Sequence, residues 1–401
     1  MTDTSSLPAT ARNAGDGEFA DLVAPYDHVA LLLQGGGALG SYQVGVWETL
    51  AEAGIEPDWI SGVSIGAVNT ALIAGNPPER RLERLETFWT RITRNDQLGG
   101  LGGFDFLRPM IDGWNAFAAM TLGQPGFFRP RVPSPWLMPR GSDKATSLYE
   151  TGALAETLEE LVDFRLLNEG PMRVSVGAVA VETGNLEWFD TKHPTRPTRI
   201  DVRHIMASGA LPPALPAVKI GDLHYWDGGI VSNTPLEYLL DQEGDRSALV
   251  FQVDLFPAQG AMPRDMGEVM TRQKDITYSS RTRAGTTRFA QTFRLRQQLR
   301  AALERVPDRT PEEERQLADL RRPGVVDILH LIYRTRPGKR DNKDYEFSVR
   351  SATEHRAAGR ADAIATLRRR DWFTPPTIEE GVKTHDIHDR RRGRTTRSTA
   401  D

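Results

Sequence analysis

Unbroken apolar runs alternate with stretches of helical spacing through the first half of the chain. His28-Val29-Ala30-Leu31-Leu32-Leu33 has no polar alternation, as in a parallel strand buried on both faces. From Ser41 to Ala53 the apolar positions Val44, Val46, Trp47 and Leu50 follow helical spacing. The pattern continues as a strand over 58–62 and helices over 65–75 and 79–93. A helix over 151–162 follows, then strands over 172–181 and 186–190 turning antiparallel across Glu182-Thr183-Gly184-Asn185. Residues 201–208 read as helix, 217–226 as a strand entering Asp227, and Ala248 to Leu255 as a further apolar strand. The predicted class is α/β: a mostly parallel sheet with helices on both faces and added antiparallel strands.

The second half reads differently. Residues 265–306 are helical and Arg-rich, with Phe289, Phe293, Leu299, Leu303 and Val306 on one face and Arg288, Arg294, Arg296, Arg300 and Arg305 elsewhere. Such a helix can lie on anionic lipid, but packing on its own domain with a solvated basic face is the favoured reading. Val325 to Tyr333 reads as a strand and Phe347 to Arg370 as a helix. These patterns divide the chain into a flexible leader (1–26), a catalytic domain (27–262), a largely helical accessory C-terminal region (263–375) and a basic, disordered tail (376–401). The tail carries Arg390-Arg391-Arg392 and Arg394. Within the second unit, the stretch 97–140 is rich in Gly, Pro and aromatics, among them Phe104, Phe106, Trp114, Phe117, Phe127, Phe128 and Trp136. It reads as a cap over an acyl pocket or as an insertion with its own small core.

Three motifs carry chemistry. Gly35-Gly36-Gly37-Ala38-Leu39-Gly40 follows the first strand and opens a helix, where free backbone N–H groups and the helix dipole favour negative charge. Gly62-Val63-Ser64-Ile65-Gly66 places Ser64 at a strand-to-helix bend, with glycines to permit a strained turn. Asp227-Gly228-Gly229 ends a strand with a carboxylate on a glycine loop. A serine hydroxyl needs a base within about 2.6–3.2 Å, and its tetrahedral intermediate needs N–H donors. The three motifs together read as an acyl hydrolase using a Ser–Asp pair.

Plainer readings exist for each. The first motif could bind a dinucleotide, but Asp58 begins the second strand instead of ending it, where a ribose-binding acid belongs. Ser64 could be a turn serine, and Asp227 could only cap a helix or close an Asx turn. A histidine would convert the pair into a triad. His330, in the apolar run Ile328-Leu329-His330-Leu331-Ile332, reads as a packed core residue, and His224 as exposed, so the pair is preferred.

The order and spacing of the three motifs resemble the patatin-like phospholipase family over roughly residues 27 to 260. Met206-Ala207-Ser208-Gly209-Ala210-Leu211-Pro212 and Gly229-Ile230-Val231-Ser232-Asn233-Thr234-Pro235 fit as well. The resemblance implies a three-layer α/β/α fold, Ser64 as nucleophile and Asp227 as general base. It implies an oxyanion hole at Gly35, Gly36, Gly37 and Ala38, with Gly40, Gly62, Gly66, Gly228 and Gly229 supporting the loops. The implied substrate is a lipid or other acyl ester, and the implied activity is that of a phospholipase A or lysophospholipase. One departure is Leu39, where many members carry a basic residue. A preference for anionic headgroups is thereby weakened, and simple esters, neutral lipids or polyester fragments gain ground. Residues from Arg264 onward resemble an accessory region of bacterial members, including Asp341-Asn342-Lys343-Asp344-Tyr345-Glu346-Phe347-Ser348. The alternative of another class is a lipid- or polyester-surface binding protein of weak turnover.

Composition narrows the rest. The 401 residues suffice for a large core plus an appended region. A net charge of −4 argues against general nucleic-acid binding, and the absence of cysteine removes disulfides and thiolate metal sites. No cofactor or metal is expected. Met1 to Glu18 lacks the pattern of a secretory signal, and no run reaches the roughly 18 apolar residues of a spanning helix. The expected location is the cytoplasm, with any membrane contact peripheral.

Overall fold

The computed structural model describes residues 19–93, 123–242, 246–320, 324–334 and 346–388. Most of the leader, residues 97–122 of the expected cap, Asp341 to Tyr345 and the arginines of the tail lie outside these.

The first strand, β1 (His28–Leu33), is followed by α1 (Ser41–Glu52), β2 (Trp59–Val63), α2 (Ile65–Ala74) and α3 (Arg81–Ile92). Then come α4 (Gly152–Leu161), β3 (Arg173–Ala180), β4 (Leu186–Asp190) and α5 (Val202–Ser208). The expected strand over 217–226 is two strands, β5 (Val218–Ile220) and β6 (Leu223–Asp227), because Gly221, at φ +61°, turns the chain between them. Helix α6 (Leu236–Gln242) leads to β7 (Ala248–Asp254).

The C-terminal region is largely helical, as the pattern predicts: α7 (Met266–Tyr278), α8 (Thr282–Glu304) and α9 (Val349–Leu367). It also contributes β8 (Val326–Ile332) and β9 (Val382–Asp386). The second of these falls in the stretch expected to be a disordered tail. Its backbone pairs in parallel with β8 from Val326↔Val382 to His330↔Asp386, and that pairing orders it.

These strands form one nine-stranded sheet in the order β9-β8-β7-β1-β2-β3-β6-β5, with β4 on the other edge of β3. From β9 to β3 every pairing is parallel; β4, β5 and β6 are antiparallel. Side chains of β1 alternate between the two faces. Val29, Leu31 and Leu33 join the larger core, with α1 to α5 and α9, while Ala30 and Leu32 join a smaller one with Leu236, Leu239 and Leu240 of α6. Burial on both faces explains why the run has no polar alternation.

Helix α9 lies directly on α1. A Cβ on Gly45 would stand 1.9 Å from the Arg356 carbonyl oxygen, and one on Gly359 would stand 2.0 Å from that of Tyr42, so glycine on each helix permits backbone contact. Arg356 pairs with Glu48 at 2.9 Å, Arg360 with Glu52 at 2.8 Å, and the Tyr42 hydroxyl donates to Asp362 at 2.7 Å. The C-terminal helix thus braces the helix that opens at the glycine loop. Helix α8 packs through Phe293 and Leu303, while Leu299 is exposed, as are Arg288, Arg294, Arg296 and Arg305.

Candidate active site

Ser64 occupies the bend between β2 and α2 with φ 57° and ψ −126°, the one non-glycine residue of positive φ among those described. Its neighbours cannot carry side chains. A Cβ on Gly62 would meet the Gly66 carbonyl oxygen at 2.3 Å, and one on Gly66 would meet that of Leu33 at 2.1 Å. The Ser64 carbonyl oxygen accepts the first bonds of α2, from Ala67 N at 2.9 Å and Val68 N at 3.2 Å. Its own N–H donates to the Ser208 hydroxyl at 3.0 Å, which in turn donates to the Gly177 carbonyl oxygen at 2.6 Å.

Strand register brings Asp227 to this serine. Val63, the last residue of β2, pairs with Gly177 of β3. Where β2 ends, antiparallel β6 takes over the same edge, with Asp227 paired to the next residue, Ala178. Ser64 and Asp227 therefore stand at the facing ends of two strands that abut head-on, close enough for the Ser64 side chain to favour the ionised form of the Asp227 carboxyl. Asp227 is 2 % exposed. Burial pushes its carboxyl up to about 6, against the opposing pull of the Ser64 side chain and of the hydrogen bond from the Gly229 N–H, the latter 2.7 Å long. The Asx-type turn is thus present together with the serine contact. The Asp227 N–H donates to the Ala210 carbonyl oxygen at 3.0 Å.

Among the described residues no histidine bonds to this pair. His224 pairs with Glu182 at 2.7 Å at the surface. His330 departs from the apolar packing expected of it. Its Nε2 lies 2.5 Å from Asp254 Oδ2 and 3.2 Å from the Gln252 side-chain amide, in a polar cluster at the end of β7.

The glycine loop lies against Ser64. A Cβ on Gly35 would stand 2.8 Å from Ser64 Cβ and 2.4 Å from Asn233 Oδ1. The Gly35 N–H donates to the Asn233 carbonyl oxygen at 3.3 Å, and Asn233 Nδ2 returns a bond to the Gly35 carbonyl oxygen at 3.0 Å. Nothing among the described residues accepts from the N–H groups of Gly36, Gly37 and Ala38, at the start of a short helical turn over Gly37–Gly40. Side-chain amides hold the loop from below. Gln34 Oε1 accepts from Leu255 N at 2.6 Å and Phe256 N at 3.1 Å, Gln43 Nε2 donates to the Gln34 carbonyl at 2.6 Å, and Asn69 Nδ2 donates to Gly40 O at 3.0 Å. Leu39 is fully buried in the core.

Gly35, Gly36, Gly37, Ser64, Asp227 and Gly229 line one cavity; Ala38, Gly40, Gly62, Gly66 and Gly228 are not among its lining residues. Its remaining wall is mostly apolar: Ile65, Val68, Phe127, Phe128, Leu154, Leu211, Leu215, Phe256 and Phe347. Phe127 and Phe128 come from the described part of the expected cap. Sequence reasoning missed Ser208, Asn233, Gln34, Gln43 and Asn69 as supports. Ser208 and Asn233 sat inside stretches already noted, and a buried glutamine directly before the glycines was the one further signal. No group of three His, Cys, Asp or Glu side chains among the described residues is placed to hold a metal ion.

A serine on a strained turn, a carboxyl group at the facing strand end and a glycine loop thus meet at one largely apolar cavity on an α/β sheet. Residues 31–240, more than half of the chain, match the family model described as Patatin-like phospholipase, and residues 276–379 match a second described as Patatin phospholipase. The chain belongs to the patatin-like phospholipase family. It is 36% identical over 76 residues to triacylglycerol lipase SDP1L of Arabidopsis thaliana, a match covering 19% of this chain and 10% of that protein. It is 61% identical over 46 residues to lysophospholipase nte1 of Aspergillus terreus, covering 12% of this chain and 3% of the relative. The chain thus matches a tenth or less of the length of these curated relatives. Among solved structures, VipD from Legionella pneumophila aligns over 86% of this chain and 67% of its own, at 15% identity and a TM-score of 0.37.

Proposed function

We propose that the protein is a serine acyl hydrolase that cleaves lipid esters through an acyl-enzyme on Ser64. The placement of Ser64 beside the buried Asp227 carboxyl, both lining one apolar cavity, carries this reading. In the first step Ser64 Oγ attacks the ester carbonyl carbon and its proton passes to Asp227. A carboxyl pushed up to about 6 is a better base than an exposed aspartate and is still ionised at neutral pH. The carbonyl oxygen becomes an oxyanion, received by the unpartnered N–H groups of Gly36, Gly37 and Ala38. The Ser64 N–H is taken by Ser208 and the Gly35 N–H by Asn233, so neither serves as a donor here. Collapse of the intermediate releases the alcohol, which takes the proton back from Asp227. Water then repeats the sequence on the acyl-enzyme and releases the carboxylic acid.

The acyl chain lies along Phe127, Phe128, Leu211 and Phe347. The names of the relatives, a triacylglycerol lipase and a lysophospholipase, support a lipid ester as substrate. Peripheral contact with a lipid surface belongs to the same reading. The test is hydrolysis of esters of increasing acyl length by the wild type and by Ser64→Ala. The variant is expected to fold normally and lose at least about a thousandfold in rate. Turnover by the variant equal to that of the wild type would end the proposal.

A further inference from the structure

Three segments that wall the apolar cavity also carry apolar side chains out into water. The first leaves the cavity wall at Phe128 and returns at Tyr149. Its base is closed by pairing of Arg129 with Glu150 and of Pro130 with Tyr149, and by the Leu148 N–H donating to the Pro213 carbonyl oxygen at 3.1 Å. Between these points Val132, Trp136 and Leu137 are 91%, 88% and 75% exposed. The second follows Asp227, where Gly229 and Asn233 line the cavity and Ile230 and Val231 between them are exposed. The third leaves at Phe256 and returns at Tyr278, whose rings lie 5.4 Å apart, and exposes Met262, Met266 and Met270. Of the 15 large apolar side chains exposed among the described residues, 11 lie on these three segments. Scattered exposed apolar residues need no explanation, but this concentration on three segments anchored at one cavity does.

We infer that this rim is the face by which the protein sits on an anionic lipid bilayer, rather than the basic face of α8 or the tail. Charge favours that occupant. The excursion over 129–148 carries Arg129, Arg131, Arg140 and Lys144 against Asp143, in a chain whose net charge is −4. An exposed tryptophan among cations suits the headgroup boundary, where the ring is partly buried and the charges stay hydrated. Geometry favours it as well. A protein partner seated on this rim would close the cavity mouth, whereas a bilayer would feed acyl chains into it. The inference rests on the lipid-ester reading for its purpose, but vesicle binding is measured without turnover.

The experiment uses full-length Ser64→Ala protein and sedimentation with vesicles of phosphatidylglycerol and phosphatidylcholine. Two double variants are compared in that background: Trp136→Ser with Leu137→Ser, and Met266→Ser with Met270→Ser. The parent is expected to co-sediment, and each double variant to partition at least about tenfold more weakly. The same substitutions in the active background are expected to leave hydrolysis of a soluble short-chain ester unchanged. Equal partitioning of parent and variants, or no binding by the parent, would overturn the inference. So would a dimer that the same substitutions dissociate, since the rim would then be covered by a second copy. Rim-dependent vesicle binding without any ester hydrolysis would uphold this surface and sink the hydrolase reading instead.

Discussion

The Ser208 hydroxyl sits between the Ser64 backbone N–H, 3.0 Å away, and the Gly177 carbonyl oxygen, 2.6 Å away. Ser208 is fully buried, and two residues later the Ala210 carbonyl receives the Asp227 N–H. A three-residue stretch at the end of α5 therefore holds the backbone of both members of the proposed pair. Removing the hydroxyl leaves a buried donor and a buried acceptor unpaired, which costs about 1–3 kcal/mol. It also frees a strained backbone to relax, and small misplacements of a reacting atom reduce rate by up to about a hundredfold. Ser208→Ala is accordingly expected to lower kcat by about ten- to a hundredfold with KM little changed, while still folding. A purely structural role would lower the melting temperature and leave kcat per folded molecule intact.

The raised carboxyl of Asp227 ties activity to stability with opposite signs. As a base it must be ionised, so kcat/KM is expected to rise with pH and level off above a midpoint near 6. In the unfolded chain the same carboxyl ionises near 3.9. Between those values the folded protein binds the proton and the unfolded chain does not. This group's contribution to stability is full below about 4 and lost as pH rises through about 6, an effect of up to about 3 kcal/mol. Asp227→Asn keeps an acceptor for the Gly229 N–H and carries no charge. It is expected to abolish turnover yet match or exceed wild-type stability at pH 7 by chemical denaturation. Equal activity in the variant, or a pH profile with no inflection between 5 and 7, contradicts the assigned role.

The contact of α9 on α1 gives the C-terminal region a mechanical task. With a would-be Cβ 2.0 Å from the Tyr42 carbonyl oxygen, Gly359→Val forces the two helices apart. Overpacking of this kind costs about 1–3 kcal/mol or more. Because α1 opens at the glycine loop, the variant is expected to lose activity along with stability. Denaturant unfolding and ester hydrolysis measured on the same preparation check this. Wild-type stability in Gly359→Val would show that α9 does not bear on α1.

Much of the site was legible because glycine and strand patterns are local. β1, the loop over Gly35 to Gly40, the bend at Ser64 and the turn at Asp227 each follow from a few consecutive residues. The meeting of Ser64 with Asp227 does not, since it depends on both β2 and β6 pairing with β3 in a particular register. The same holds for Val382 to Asp386, whose mostly polar sequence resembles a tail until β8 supplies a partner. Nothing local in the sequence marks Gly45 and Gly359, and only the crossing of the two helices gives them a reason. His330 was misjudged because its apolar flanks face the core, while its own side chain reaches Asp254 at the strand's end.

The central claim, that Ser64 is the nucleophile, is tested most directly by a fluorophosphonate that bonds covalently to activated serines. Wild-type protein is treated near neutral pH and the adduct located by peptide mass spectrometry. The account predicts a single stoichiometric adduct on Ser64, absent from Ser64→Ala and slowed in Asp227→Asn. An adduct on another serine, or equal labelling of Ser64→Ala, would contradict it.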